Sequence, residues 1–188
     1  MEDNAVTLNV VTNDIDVDGT VTISSVDLDP ATTGTQTTFT VANKGTFTVN
    51  ASGVVTFTPV ANYNGTVSIT YTVKDNDNLT SNQGTITITV TPVNDPPVAN
   101  NSTVTTPENV LYHFVAADFP FTDVESDPLQ SITIATLPNQ GTLYLNGVAV
   151  TLGQTISAAN IVYLTYDPPV NAYGNALSSF TFKANDAN

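Results

Sequence analysis

The chain has 188 residues, with 17 Asp and Glu against three Lys, no Arg, one His (His113), no Cys and no Trp. A formal charge of −14 argues against a nucleic-acid partner, which needs clustered Lys and Arg, and against an anionic membrane surface. The lack of Cys excludes disulfides, thiolate metal sites and thiol catalysis. With 40% hydrophobic and only 11% charged residues, this is a folding chain, long enough for one large or two small domains. No stretch nears the roughly 20 apolar residues of a membrane span, and the acidic start Met1-Glu2-Asp3-Asn4 has no signal-peptide pattern.

In chain order the pattern is one of strands. Val6-Thr7-Leu8 alternates polar and apolar, and Asp18-Gly19 reads as a turn. Thr46-Phe47-Thr48-Val49 alternates again, then Ser52-Gly53 turns into Val54-Val55-Thr56-Phe57-Thr58-Pro59. After the Asn64-Gly65 turn come Ile69-Thr70-Tyr71-Thr72-Val73 and Thr85-Ile86-Thr87-Ile88-Thr89-Val90. Alternation of period two, rich in β-branched residues, marks half-buried strands, and turns every 8–12 residues or so mark an antiparallel sandwich. Helical periodicity is nearly absent: one helical turn is expected at Ser157-Ala158-Ala159-Asn160, with Ser157 as its cap. The class is all-β.

An internal repeat divides the chain. Val54–Pro59 with Asn62-Tyr63-Asn64-Gly65 reappears as Tyr163-Leu164-Thr165-Tyr166-Asp167-Pro168 with Asn171-Ala172-Tyr173-Gly174. Gly45-Thr46-Phe47 matches Gly141-Thr142-Leu143, and Ile69–Asp75 matches Phe180–Asp186. Asp16-Val17-Asp18 matches Asp123-Val124-Glu125, and Glu2-Asp3 matches Glu108-Asn109. Matches in one order across the chain mean two copies of one module. The expected division is module 1 over residues 1–92, a linker over 93–97, and module 2 over 98–188. The first copy has a further strand, Gly84 to Thr91, with no equivalent after Asp186. Module 2 is therefore expected to lack its final strand, as in a fragment of a longer tandem array.

The acidic residues carry the chemistry. Asp14-x-Asp16-x-Asp18-Gly19 resembles the start of an EF-hand loop, but Ser25 occupies the position of the bidentate Glu and the flanks are strands, so that reading fails. What remains is a set of oxygen-bearing side chains, nearly all carboxylates, at strand ends: Glu2 and Asp3, Asp16 and Asp18, Asp75 and Asp77, then Asn94 and Asp95 in the linker, then Asp123, Glu125 and Asp127, and Asp186. The candidate ligands among them are Glu2, Asp16, Asp18, Asp75, Asn94, Asp95, Asp123, Glu125 and Asp186. Two carboxylates about 4 Å apart repel by roughly 4 kcal/mol at an effective dielectric near 20, so a fold that gathers several needs a cation among them. All-oxygen, flexible ligand sets favour Ca2+ over magnesium. Asp27, Asp29, Asp118 and Asp167 read instead as ordinary turn formers.

The order Glu, Asp-x-Asp, a late strand ending in Asp, then Asn-Asp-x-Pro resembles cadherin repeats, and more closely the cadherin-like modules of bacterial surface adhesins. The most specific pieces are Pro92-Val93-Asn94-Asp95-Pro96-Pro97-Val98-Ala99, Asp118-Phe119-Pro120-Phe121-Thr122-Asp123 and Gly141 to Val148. The resemblance implies two tandem Ig/cadherin-like Greek-key β-sandwiches and calcium ions that stiffen the junction between modules. Carried over by position, Glu2, Asn94, Asp95, Asp123, Glu125 and Asp186 would share one junction. Asp16, Asp18 and Asp75 would face a preceding module, and Glu108 a following one. The chain departs from the family where a mid-chain acidic pair is replaced by Asn62-Tyr63-Asn64 and by Asn171-Ala172-Tyr173. Expected partners are neighbouring modules of the same chain, with cell-surface proteins or polysaccharides as targets, in an extracellular or cell-surface location.

Other functions find less support in the residues. His113 is the one candidate base of its type and sits in a strand-like stretch, and no nucleophile elbow or phosphate loop is present, so no enzyme is expected. A carbohydrate-binding module is the alternative, but it would need exposed aromatic platforms. Tyr71, Phe47, Phe57, Phe180 and Phe182 read as core, leaving Tyr63, Tyr112 and Tyr173. The Thr-x-Thr rows read as polar strand faces rather than an ice-binding array, and Lys44, Lys74 and Lys183 as exposed rather than cross-linked.

Overall fold

A computed structural model describes residues 1–187 and divides the chain into two compact units, Met1–Val93 and Asn94–Asn188.

In unit 1 the strands are β1 (Val6–Asn9), β2 (Val21–Asp27), β3 (Thr38–Val41), β4 (Gly45–Val49), β5 (Val54–Pro59), β6 (Gly65–Asp75) and β7 (Gly84–Val90). They form a four-stranded sheet, β1-β5-β4-β3, and a three-stranded sheet, β2-β6-β7, antiparallel throughout. Successive strands change sheet after β1, β2 and β5, which is Greek-key connectivity. Alternation explains the layering. In β7, Ile86, Ile88 and Val90 are buried, while Thr85, Thr87 and Thr89 pair on the outer face with Thr70, Ser68 and Thr66. Ser68 and Thr87 hydroxyls are 2.9 Å apart, so the outer ladder satisfies itself with polar groups. The core is built on Phe47 and Phe57, both wholly buried with ring centroids 4.6 Å apart, and Tyr63 packs edge-on against Phe57.

In unit 2 the strands are β8 (Val98–Ala99), β9 (Tyr112–His113), β10 (Phe121–Thr122), β11 (Ser131–Thr136), β12 (Thr142–Leu145), β13 (Val148–Ala149), β14 (Thr155–Ser157), β15 (Leu164–Asp167) and β16 (Thr181–Asn185). The sheets are β13-β12-β15-β9 and β14-β11-β16, with β8 and β10 as a separate ribbon. Thus β9-β15-β12 repeats β1-β5-β4, and β11-β16 repeats β2-β6. The edges differ: β3 precedes β4 in the chain, whereas β13 follows β12. The core combines Ile132, Ile134, Leu143, Ile156, Ile161 and Leu164 with Phe114 and Phe119, against which Phe180 and Phe182 pack edge-on.

The repeated Gly-Thr-apolar motif has a steric cause. A Cβ on Gly45 would lie 2.4 Å from the Thr58 carbonyl oxygen and 2.6 Å from the Phe57 ring. One on Gly141 would lie 2.5 Å from the Asp167 carbonyl oxygen and 2.7 Å from the Tyr166 ring. Both glycines let strand backbones close over an aromatic ring at the same place in each sandwich.

The helical turn lies where the sequence places it, as a 3-10 segment over Ala158–Tyr163, but Ser157 does not cap it with its side chain. The Ala158 amide bonds instead to the Gln130 carbonyl. A second 3-10 turn, Ala116–Asp118, has no periodic signal in the sequence; the Asp118 carboxylate secures it by accepting from the Val115 amide and the Tyr112 hydroxyl.

Candidate metal site

In unit 2 the segment by which the chain enters the sandwich contacts two of the acidic residues, Glu125 and Asp186. Asn94 and Asp95 precede β8, Asp123 and Glu125 lie in the loop after β10, and Asp186 directly follows β16. The Glu125 carboxylate accepts from the Asp95 amide at 3.2 Å, and the Asp186 carboxylate accepts from the Asn94 side-chain amide at 3.0 Å. Asp123 Oδ1 accepts from the Asp127 amide at 2.8 Å, folding the loop back on itself through Ser126, which has φ of +66°. Two adjacent residues of the entering chain are thereby tied to two different carboxylates. Asp186 is only 8% exposed. Lys183, three residues earlier in the strand, points to the other face, because side chains alternate along β16.

Two oxygens of these residues stand out. Asp95 Oδ2 and Asp123 Oδ2 are buried and have no hydrogen-bond partner. A buried carboxylate oxygen without a donor is costly, and the usual remedies are a donor or a cation. Among the described residues no three Asp, Glu or His side chains close into a ready-made cage. The candidate donors are all oxygens, of carboxylates and a side-chain amide, a set that fits a hard cation such as calcium.

In unit 1, Glu2 is 1% exposed. Its carboxylate accepts from the Val93 amide and, at 3.4 Å, from the Asn64 side chain, while its own amide donates to Thr91. Glu2 is thus pinned by the segment leaving β7 and by the Asn that stands in the place of the family's acidic pair. Its repeat counterpart Glu108 is exposed. The next residue behaves alike in both units: Asp3 accepts from the Asn62 amide at 2.9 Å, and Asn109 from the Asn171 amide at 2.8 Å. Asp3 and Asn109 both have positive φ, which explains why the repeat keeps Asp or Asn there.

At the other end of unit 1, Asp14, Asp16 and Asp75 line a cleft of about 310 Å³ together with Tyr71, Lys74 and Asn82. Asp75 Oδ1 accepts from the Asp77 and Leu79 amides, so it caps the turn after β6 as well as facing the cleft. Asp18 is exposed and is not among the lining residues. Asp14, which the sequence shows only as the first acid of the rejected EF-hand-like run, aligns with Phe121 in the second copy rather than with another acid. Its carboxylate accepts from the Tyr71 hydroxyl, which also lies 2.9 Å from the Val10 carbonyl. Burial first, then the hydrogen bond and charge of Asp14, push the Tyr71 hydroxyl up to about 12. In unit 2 Phe182 takes the place of Tyr71 and packs on Phe119, so the corresponding interior is aromatic.

Residues read as turn formers do that work: Asp27 accepts from the Asp29 and Gln36 amides, and Asp29 from the Thr32 hydroxyl. Of the candidate aromatic platforms, Tyr63 and Tyr112 pack on Phe57 and Phe114, while Tyr173 is 86% exposed. His113 is exposed at the end of β9.

Residues 1–92 match the family model of the bacterial cadherin-like domain, and residues 94–188 that of the bacterial Ig domain. The two copies of the repeat seen in the sequence therefore match two different family models. Integrin beta-like protein E of Dictyostelium discoideum is 32% identical over 119 residues, which is 62% of this chain and 6% of that protein. The chain thus spans a small fraction of that relative. No solved structure matches. Domains of these two families are typically non-catalytic structural or adhesion modules found outside the cell or on its surface, and no helix among the described residues is long and apolar enough to cross a membrane. The chain is a tandem of a bacterial cadherin-like domain and a bacterial Ig domain, joined at Val93-Asn94.

Proposed function

We propose that this tandem is a calcium-binding segment of a secreted or surface-attached adhesin, in which the ion stiffens the connection between modules. The observation that supports this reading most is the pair of buried, unpartnered carboxylate oxygens on Asp95 and Asp123. One lies on the connecting segment and the other on the body of unit 2. A calcium ion ligated by both, with Glu125, Asp186 and Asn94 supplying further oxygens, would fasten the connecting segment to the sandwich. It would also cancel the repulsion that gathered carboxylates otherwise feel. Glu2, already pinned beside Val93, is the ligand unit 1 would offer, and Asp16, Asp18 and Asp75 are those of a second site.

Extracellular calcium modules work with dissociation constants on the order of 10⁻⁴ to 10⁻³ M, so a site with few carboxylates suits an extracellular setting. Metal held this way converts a jointed chain into a stiffer spacer, which is the mechanical role of an extension segment. The test is a calorimetric titration of the intact chain with calcium, alongside small-angle scattering with and without EDTA. The reading expects saturable binding from which Asp95→Ala removes the site at the connecting segment, leaving at most that of Asp16, Asp18 and Asp75, and a narrower spread of end-to-end distances with calcium. Absence of binding at several millimolar calcium would refute it.

A further inference from the structure

The sequence contains two Asn-Gly dipeptides, Asn64-Gly65 and Asn146-Gly147, and the fold gives them different surroundings. Asn146 and Gly147 form the two-residue turn between β12 and β13, both with positive φ, and the Asn146 amide donates to the Tyr163 carbonyl at 3.2 Å. Asn64 lies in the loop before β6, and Gly65 is the first residue of that strand; both are exposed. Gly65 has φ of +119°, and a Cβ placed on it would come no nearer than 3.7 Å to the Tyr63 hydroxyl, so the space around it is open. The Asn64 side chain donates one long hydrogen bond, 3.4 Å, to Glu2 Oε2. That carboxylate is 1% exposed, and its other oxygen accepts from the Val93 amide.

A glycine after Asn leaves its backbone nitrogen unshielded by a side chain, so the Asn side chain can close on it to a succinimide. We propose that Asn64 is a deamidation site, and that its conversion to aspartate makes the Glu2 end of unit 1 dependent on calcium; this second part rests on the calcium reading above. The Gly65 nitrogen bonds to Asn64 Cγ, the Cγ–Nδ2 bond breaks, and Nδ2 leaves as ammonia with the Gly65 amide proton. Water then opens the ring at Cγ to give aspartate, or at the backbone carbonyl to give isoaspartate. Aspartate here replaces the donor to Glu2 Oε2 by a second carboxylate. The buried carboxylate loses a partner and gains a like charge at hydrogen-bond distance. Glu2 also holds the segment leaving β7 through the Val93 amide, so without a cation the repulsion loosens that segment. With calcium the same pair offers two carboxylates in place of one, and calcium affinity follows carboxylate count. Charge gained at Asn146 stays in solvent: residues 146–149 are exposed, and nothing lies within 4 Å of a Cβ placed on Gly147.

The intact chain is aged in mildly alkaline buffer and mapped by mass spectrometry. Asn64→Asp, Asn64→Gln and Asn146→Asp are then compared with the parent by scanning calorimetry and calcium titration. The expected result is the mass gain of one deamidation at residue 64 in the parent and none there in Asn64→Gln. Asn64→Asp melts below the parent in EDTA, regains the difference in calcium, and binds calcium about tenfold more tightly, as an added carboxylate allows. Asn146→Asp matches the parent in both conditions. An aged parent unmodified at residue 64 overturns the proposal. So does Asn64→Asp melting with the parent in EDTA, or an equal calcium response when both proteins bind the ion. If neither binds calcium and Asn64→Asp still melts lower in EDTA, the calcium reading fails and the metal dependence with it, while the modification site stands.

Discussion

Asp123→Asn separates the charge of the proposed calcium site from its local architecture. Asn keeps a carbonyl oxygen for the Asp127 amide, now 2.8 Å from Asp123 Oδ1, and replaces the buried, unpartnered Oδ2 by an amide group. In EDTA two effects oppose each other. The loop loses a charge-assisted hydrogen bond, worth about 1.5–3 kcal/mol against about 1 kcal/mol for a neutral one. Relief of an unpaired buried carboxylate oxygen returns about 1–3 kcal/mol. The variant should therefore melt within a few degrees of the parent without metal. With calcium the two part company. One site at a hundred times its dissociation constant adds about 2.7 kcal/mol to the folded state. In a unit of this size each kcal/mol moves the melting temperature by about 4–8 °C, so the parent should gain on the order of 10–20 °C from calcium. The variant should gain far less. Differential scanning calorimetry of both proteins, in EDTA and in calcium, gives the four melting temperatures. An equal calcium-induced shift in parent and variant would refute the argument that Asp123 is a ligand. A large fall of the variant in EDTA alone would show that its carboxylate serves the loop instead.

Three further outcomes follow from the geometry. Tyr71 is held protonated up to about 12 against an unfolded value near 10, so its contribution to stability is complete below pH 10 and is lost as pH rises from 10 to 12; urea midpoints at pH 9 and 11.5 should converge in Tyr71→Phe relative to the parent. Gly141→Ala forces a methyl group to within 2.5 Å of the Asp167 carbonyl oxygen, and should lower stability by about 1–3 kcal/mol by overpacking, seen as a lower denaturant midpoint with an unchanged slope. Because, among the described residues, β16 carries a ladder on one side only, amides of Thr181–Asn185 should exchange faster than those of β6; equal protection of the two strands would contradict this.

The strands, the two modules and their class were legible in the sequence because a two-residue alternation of Thr with Val, Ile or Phe has only one economical burial, in half-exposed sheets. The internal repeat was equally legible, and the structure attaches reasons to its letters: Gly45 and Gly141 admit an aromatic ring, and Asp3 and Asn109 each accept the amide of an Asn some sixty residues on. Which acids do chemistry was less accessible. Asp16, Asp18 and Asp75 look alike in one dimension, yet Asp18 stays exposed while Asp75 caps a turn, and Asp14, with no acidic counterpart in the repeat, is the one secured by a buried Tyr.

Sequence periodicity decides which face of each strand is apolar, since that depends only on neighbours two residues apart. Whether a carboxylate oxygen ends up buried without a donor depends on chain segments far apart in sequence: Asp95 and Glu125, or Asn94 and Asp186, come together only when the sandwich closes. Tertiary structure alone therefore decided that Glu2 is buried and Glu108 exposed, although the two occupy the same place in the repeat. The segment leaving β7 covers the first, whereas the second is left exposed.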